Sequence, residues 1–189
     1  MLRVIAGEQR GRRLRVPPGL RVRPALARVK ASLFDMLISR GLVATEEILD
    51  LFAGSGALGI EALSRGASSV VFVERDRIAA RALRANILAA DLESRSEVLE
   101  VPVGRAVARL AKEGRAFDGV FVDPPYGTPW AEVALPQLGA GDLVRAGGWV
   151  AVHHHRRESP ESVHGHLEVA VRRVIGDAGL TVYRRPAAA

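Results

Sequence analysis

Ile48-Leu49-Asp50-Leu51-Phe52-Ala53-Gly54-Ser55-Gly56 is an apolar run, broken once by a carboxylate, that ends in two closely spaced glycines. Four to five apolar residues bounded by a glycine turn read as a fully buried strand, and Ala57 to Ser64 beyond it as a short helix. The same alternation continues outward. Strands are expected at 70–73, 97–101, 117–122 and, after a turn at Gly147-Gly148, 149–152, with helices at 76–90, 104–112 and 130–138 between them. On the second helix Ile78, Ala82 and Ile87 fall on one face. Near-continuous apolar strands alternating with helices predict an α/β, Rossmann-like fold, a mostly parallel sheet with helices on both faces. Two further strands, 167–174 and 180–184, are separated only by a turn at Gly176 and Gly179. They bring the sheet to seven strands and make the last one antiparallel.

Upstream of the quoted stretch, residues 2–6 and 12–16 are apolar–basic segments spaced by Gly7 and Gly11, which predicts a small β-hairpin. Pro17-Pro18-Gly19 ends it. Pro24 suits a helix start, and Leu26, Val29, Leu33, Met36 and Leu37 recur at helical spacing to about residue 40. The expected organisation is a basic N-terminal hairpin extension over 1–23 and a main domain over 24–189. Residues 156–161 read as a loop, and Pro186 to Ala189 as a frayed tail.

The chain has 189 residues, nearly half of them hydrophobic, which fits one domain with a sizeable core. It has no cysteine, so disulfides, thiolate metal sites and a cysteine nucleophile are excluded. The N-terminus lacks the apolar core of a signal peptide, and no apolar run is long enough to cross a bilayer. A cytoplasmic protein with no membrane partner is the expectation. The charge is unevenly placed. Residues 1–30 hold nine basic side chains (Arg3, Arg10, Arg12, Arg13, Arg15, Arg21, Arg23, Arg28 and Lys30) against Glu8 alone, so this segment is +8 in a chain of net +6. The remainder is therefore slightly acidic. A positive excess confined to one end predicts a polyanion-binding face, weighed against an ordinary solvated arginine surface.

In an open α/β sheet ligands bind beyond the carboxyl ends of the strands. Gly54 and Gly56 lie at such an end and let backbone approach a ligand. Glu74 ends the next strand, where a carboxylate can accept from both hydroxyls of a ribose. Gly54-Ser55-Gly56-Ala57-Leu58-Gly59 is also a literal G-x-G-x-x-G with Glu74 20 residues beyond Gly54, the spacing of a nicotinamide dinucleotide site. Asp50 argues against that rival, because a carboxylate repels a pyrophosphate but suits a ligand carrying an ammonium group.

Asp123-Pro124-Pro125-Tyr126 follows the apolar strand 117–122. An exocyclic amino group of a base is a poor nucleophile, because its lone pair is delocalised into the ring. Two acceptors around the NH₂, the Asp123 carboxylate and the Pro124 carbonyl, would draw the nitrogen toward tetrahedral geometry and aim its lone pair at a methyl donor. Two consecutive prolines remove two N–H donors and stiffen the turn, leaving a preorganised acceptor-rich surface. Tyr126 offers a face on which an extruded base can stack.

Taken together, these residues resemble the class I S-adenosylmethionine methyltransferases, and among them the bacterial 16S ribosomal RNA guanine-N2 methyltransferases. The similarity covers almost the whole chain. It runs through Arg3-Val4-Ile5-Ala6-Gly7, Gly11-Arg12, Arg23-Pro24, Arg28-Val29, Leu49 to Gly56, Glu74, Val122 to Tyr126 and Gly179 to Arg184. It implies that S-adenosylmethionine, with S-adenosylhomocysteine as product, is held by Asp50, Phe52, Ala53, Gly54, Ser55, Gly56, Glu74, Arg75 and Val103. It further implies that Asp123, Pro124, Pro125 and Tyr126 act on the guanine. Arg3, Arg10, Arg12, Arg13, Arg23 and Arg28 would contact ribosomal RNA or an assembling small subunit. No metal and a monomer are expected. Two departures stand out: Ala25-Leu26-Ala27 replaces a polar Thr-Thr-Asp, and Val101-Pro102-Val103-Gly104 lacks the Asn or Asp that would meet the cofactor's adenine. Adenine recognition would then fall to backbone near Val103 or to another side chain. A DNA adenine-N6 methyltransferase, a nicotinamide-dependent oxidoreductase and a non-catalytic RNA-binding assembly factor remain alternatives.

The run His153-His154-His155 reads as a solvated strand end, since successive side chains alternate in direction and cannot share one ion. Trp149 and Trp130 read as packing residues, Trp130 near enough to Tyr126 to border the pocket. Asn86 and Asp91 read as residues of a helix surface or end.

Overall fold

The alternation of strand and helix folds as a single layered sheet, seen in a computed structural model that describes residues 2–17, 24–42, 46–125 and 130–187. Tyr126, Arg23 and the turn at Pro18-Gly19 lie outside the described residues. The strands are β1 (Glu47–Leu51), β2 (Ser69–Val73), β3 (Ser96–Leu99), β4 (Phe117–Val122), β5 (Val144–His155), β6 (Val163–His164), β7 (Leu167–Ile175) and β8 (Ala178–Arg184). They form one sheet in the order β3-β2-β1-β4-β5-β8-β7-β6. The first five run parallel. β8 is antiparallel to both β5 and β7, and β6 is antiparallel to β7. The sheet therefore has an eighth strand that periodicity missed: Val163–His164 is too short to carry a pattern.

The helices are α1 (Pro24–Ile38), α2 (Gly59–Ser64), α3 (Arg77–Ala89), α4 (Val103–Lys112) and α5 (Trp130–Ala140). Side chains of a strand alternate in direction, and the central strands divide accordingly. Ile48, Phe72, Phe121 and Ala151 pack with apolar residues of α1, α2 and α3. Leu49, Leu51, Val71, Val122 and Val152 pack with those of α4 and α5. Both faces are dry, which is why the strands read as continuous apolar runs rather than alternating ones. No described helix is long and apolar enough to cross a membrane.

Three expectations change at this level. Gly147-Gly148 does not precede β5 as a turn; it lies within the strand. The pairing with β4 slips between Phe117 and Gly119, so the glycines form a bulge that re-aligns the strand. Gly179 is not a turn residue either. It sits in β8 under His154, whose ring would lie 2.2 Å from a Cβ there. On α3 the buried face is Ala79, Ala80, Leu83, Asn86 and Ile87, while Ile78 is exposed. The Asp76 carboxylate caps this helix, accepting from the Ile78 and Ala79 amides.

The N-terminal segment pairs as a hairpin with one bridge, Arg3 to Arg13, and bonds from Val4 N to Arg12 O and from Leu14 N to Leu2 O, each 3.0 Å. Leu2, Val4 and Leu14 join the α1–α2–α3 core. Glu61 of α2, fully buried, anchors the segment. Its carboxylate accepts from Ile5 N (2.8 Å) and Ala6 N (3.0 Å), and pairs with Lys30 (2.8 Å) and Arg65 (2.8 Å). Burial alone would push this carboxyl up, but the Lys30 ammonium and the donated hydrogen bonds outweigh it and hold it below its ordinary range. Gly7 crosses α2 so closely that a Cβ would meet Ser64 O at 1.7 Å, and its φ of +81° favours glycine as well.

Candidate active site

The order β3-β2-β1-β4-β5 reverses direction between β1 and β4, and the crevice above that switch point is where the sequence motifs converge. β1 and β4 are in register with Leu51 opposite Val122. The glycine-rich turn and Asp123 therefore leave adjacent strands at the same edge.

The turn begins at Phe52, which adopts φ +64°, an αL conformation rare for an aromatic residue. Ala53 N donates to Val73 O (2.9 Å) and Gly56 N to Ala53 O (2.7 Å), closing the loop against β2. The two glycines serve different ends. A Cβ at Gly54 would meet nothing nearer than Phe52 O at 4.0 Å, so that position faces open space. A Cβ at Gly56 would strike Leu83 at 2.5 Å and Ile60 at 2.9 Å, so Gly56 lets α2 and α3 pack closely. Ser55 is buried; its carbonyl accepts from Asn86 Nδ2 at 2.9 Å.

Asn86, expected at a helix surface or end, is buried. Besides Ser55 it bonds both ways to Arg15, accepting from its N–H (2.7 Å) and donating to its carbonyl (2.9 Å). One side chain thus joins the N-terminal segment to the glycine-rich turn. Only the docking of residues 2–16 onto α2 and α3 brings Arg15 there, and no periodicity announces it.

Two carboxylates shape the crevice floor. Glu74 accepts from Gly54 N (2.8 Å) and Asp76 N (2.7 Å), tying the turn to the end of β2. Asp50, 1% exposed, accepts from Gly59 N at 2.9 Å. Its carboxyl is pushed up to about 8, chiefly by burial and further by the negative charges of Asp123 and Glu74, against the opposing Gly59 hydrogen bond. A carboxyl whose ionisation is opposed by burial and by two neighbouring acids suits a cationic ligand, and with the open space at Gly54 the arrangement fits a sulfonium bearing an ammonium group. Arg75 is exposed beside Glu74. Val103, at the start of α4, is partly buried with Phe52 and Val101 at the edge of the second core.

Asp123 is partly exposed, Pro124 is buried and Pro125 is exposed. The histidine run is not a solvated strand end: His153 and His154 are 8% and 7% exposed. β5 continues to His155 and is paired throughout with β8, so these residues stay inside the sheet. They do point opposite ways. His153 Nδ1 lies 2.7 Å from Asp123 Oδ1, whereas His154 Nε2 lies 2.9 Å from Thr181 Oγ1. The sequence held a signal for His153: it follows strand 149–152 as Asp123 follows strand 117–122. Trp149 is a packing residue, its indole donating to Leu42 O at 2.7 Å. Among the described residues no group of three or more His, Asp or Glu is arranged to hold a metal ion.

Of the expected polyanion contacts, Arg3 and Arg13 face each other across the hairpin bridge, and both are exposed with Arg10 and Arg28. Arg12 points elsewhere, its guanidinium meeting Gln9 Oε1 (2.6 Å) and the Ala89 carbonyl at the C-terminus of α3. Lys30 is consumed by Glu61.

The family described as conserved hypothetical protein 95 matches residues 2–184. The chain is 35% identical over 190 residues to the Bacillus subtilis (strain 168) protein YlbH, covering 97% of this chain and 99% of that one. It is 37% identical over 150 residues to ribosomal RNA small subunit methyltransferase D of Escherichia coli (strain K12), covering 79% and 70%. The solved structure of Escherichia coli yhhF superposes with a TM-score of 0.84 at 32% identity over 99% of each chain. The chain therefore belongs to the conserved hypothetical protein 95 family, alongside the bacterial small-subunit ribosomal RNA methyltransferases that its motifs resemble.

Proposed function

We propose that this protein transfers a methyl group to the exocyclic N2 amine of a guanine in 16S ribosomal RNA of the small subunit, working as a monomer. The observation that carries the reading is the convergence of Asp123 with Asp50, Glu74 and the open backbone at Gly54 on one crevice, in a chain similar to a ribosomal RNA small subunit methyltransferase D. S-adenosylmethionine supplies a methyl on a sulfonium and leaves as S-adenosylhomocysteine. Asp50 would face the ammonium, Glu74 the ribose, and Phe52 to Gly56 with Val103 the remaining edges, with Arg75 at the rim.

Asp123 and the Pro124 carbonyl accept the two amine hydrogens and orient the nitrogen lone pair. Tyr126 stacks the base. Once the carbon–nitrogen bond has formed and the carbon–sulfur bond has broken, the amine is cationic and strongly acidic, and Asp123 or water takes its proton. Alignment of the three reacting atoms supplies much of the remaining acceleration. Arg3, Arg10, Arg13, Arg28 and Arg23 would hold the phosphate backbone.

The test is incubation with labelled S-adenosylmethionine and small subunits from cells lacking the modification, followed by nucleoside analysis. N2-methylguanosine is expected. N6-methyladenine, or label on no base, would overturn the reading. Asp123→Ala should lower turnover by at least about 10²–10³-fold, the usual cost of losing one preorganised polar contact in a reaction site, while cofactor affinity stays close to that of the unaltered protein.

A further inference from the structure

We infer that His153 is a positioning residue for Asp123, clamping its carboxylate in the orientation that receives the amine. The inference rests on the reading of Asp123 given above, but nothing in that reading requires a histidine.

The arrangement follows from register. β4 and β5 are parallel neighbours with Val122 opposite Val152, so Asp123 and His153 are the next residues on each strand and leave on the same side of the sheet. His153 Nδ1 and Asp123 Oδ1 are 2.7 Å apart, a charge-assisted distance. An ionised carboxylate can only accept, so Nδ1 carries the proton and donates it. The imidazole is held in place. It is buried, it stands opposite Leu180 of β8, and the next residue, His154, is tied to Thr181 on the other face. The carboxylate is more open, 30% exposed, as a group that meets substrate should be.

This asymmetry gives the pair a direction. The carboxylate torsion of an aspartate is soft and roughly two-fold. Asp50 and Glu74 are further negative groups nearby, and like-charge repulsion also acts on its orientation. A rigid N–H fixed by the neighbouring strand engages Oδ1, so that Oδ2 together with the Pro124 carbonyl remains for the two amine hydrogens. His153 touches no reacting atom in this scheme. It acts through Asp123, and a misplacement of about 1 Å at such a group costs on the order of 10²-fold in rate.

The experiment compares His153→Leu, which fills the ring's volume without a donor, with His153→Asn, whose amide N–H sits where Nδ1–H does. Methyl transfer to small subunits gives kcat and KM, and direct titration gives the cofactor Kd. His153→Leu should lower kcat by about 10–100-fold with KM and Kd nearly unchanged, and His153→Asn should recover most of the loss. A purely packing role would move stability in both variants and leave kcat alone. In an Asp123→Ala background His153→Leu should change nothing further, because the two act as a unit. If Asp123→Ala keeps its turnover, the reading of Asp123 is what fails. If Asp123→Ala is inactive while folded His153→Leu turns over normally, or if His153→Asn is as slow as His153→Leu, the assignment of His153 is overturned.

Discussion

Asp50 is a carboxyl that burial, with Asp123 and Glu74 nearby, keeps largely protonated at neutral pH. Its value is raised to about 8, so the stability tied to its protonated form is fully present below about pH 4 and is lost as pH rises through about 8. A cation bound over the three carboxylates would favour the ionised form, so binding of S-adenosylmethionine near pH 7 should release a proton and tighten as pH rises toward 8. Calorimetry in buffers of different ionisation enthalpy reads that proton directly; binding heats that do not depend on the buffer would refute the coupling. Asp50→Asn imitates the protonated group. It should fold normally at pH 7, release no proton and bind the cofactor more weakly. The sequence showed a carboxylate interrupting an apolar strand. The Gly59 amide that it holds, and the two acids that raise it, come from other elements.

At the scale of elements, α2 ties the N-terminal segment to the sheet, and Glu61 is its fastening. Removing one member of a buried ion pair leaves the other charge without compensation, at about 3–5 kcal/mol. Glu61→Ala should lose stability of that order, and hydrogen exchange at the Ile5 and Ala6 amides should quicken more than in β1 or β4. Unchanged protection at those two amides would count against the anchoring. The Glu61 carboxyl is held below its ordinary range, so its contribution is present above that range and is lost as pH falls through the lowered value. Acid should therefore loosen this segment only once the pH has fallen below the ordinary carboxylate range. The hairpin itself was legible from Gly7 and Gly11, but not its anchor. A glutamate in a short helix looks like a solvated residue until Lys30, Arg65 and two backbone amides close around it.

For the whole molecule, the excess of positive charge proves smaller in practice than in composition. Lys30 is neutralised inside the fold and Arg12 serves the end of α3, whereas Arg3, Arg10, Arg13 and Arg28 remain at the surface. If Arg3 and Arg13 each meet one phosphate, Arg3→Ala combined with Arg13→Ala should reduce the slope of log K for RNA against log salt by about 1.4–1.8. The Arg12→Ala change should act mainly on stability. An unchanged slope in the double variant, measured by titration with rRNA over a range of salt, would place the RNA elsewhere.

The sequence by itself determined the layered α/β architecture, the strand carrying Asp50 and the strand ending at Asp123, because dry parallel strands and glycine turns leave a local record in composition. It could not decide what each exposed-looking polar residue would meet. Asn86 joins Arg15 to Ser55 across the docked hairpin, Gly56 accommodates the close packing of two helices, and His153 finds Asp123 because β4 and β5 lie side by side in register. Each of these contacts joins residues 27 or more positions apart in sequence or depends on helix packing. Their partners are set by strand order and docking, which no local pattern encodes.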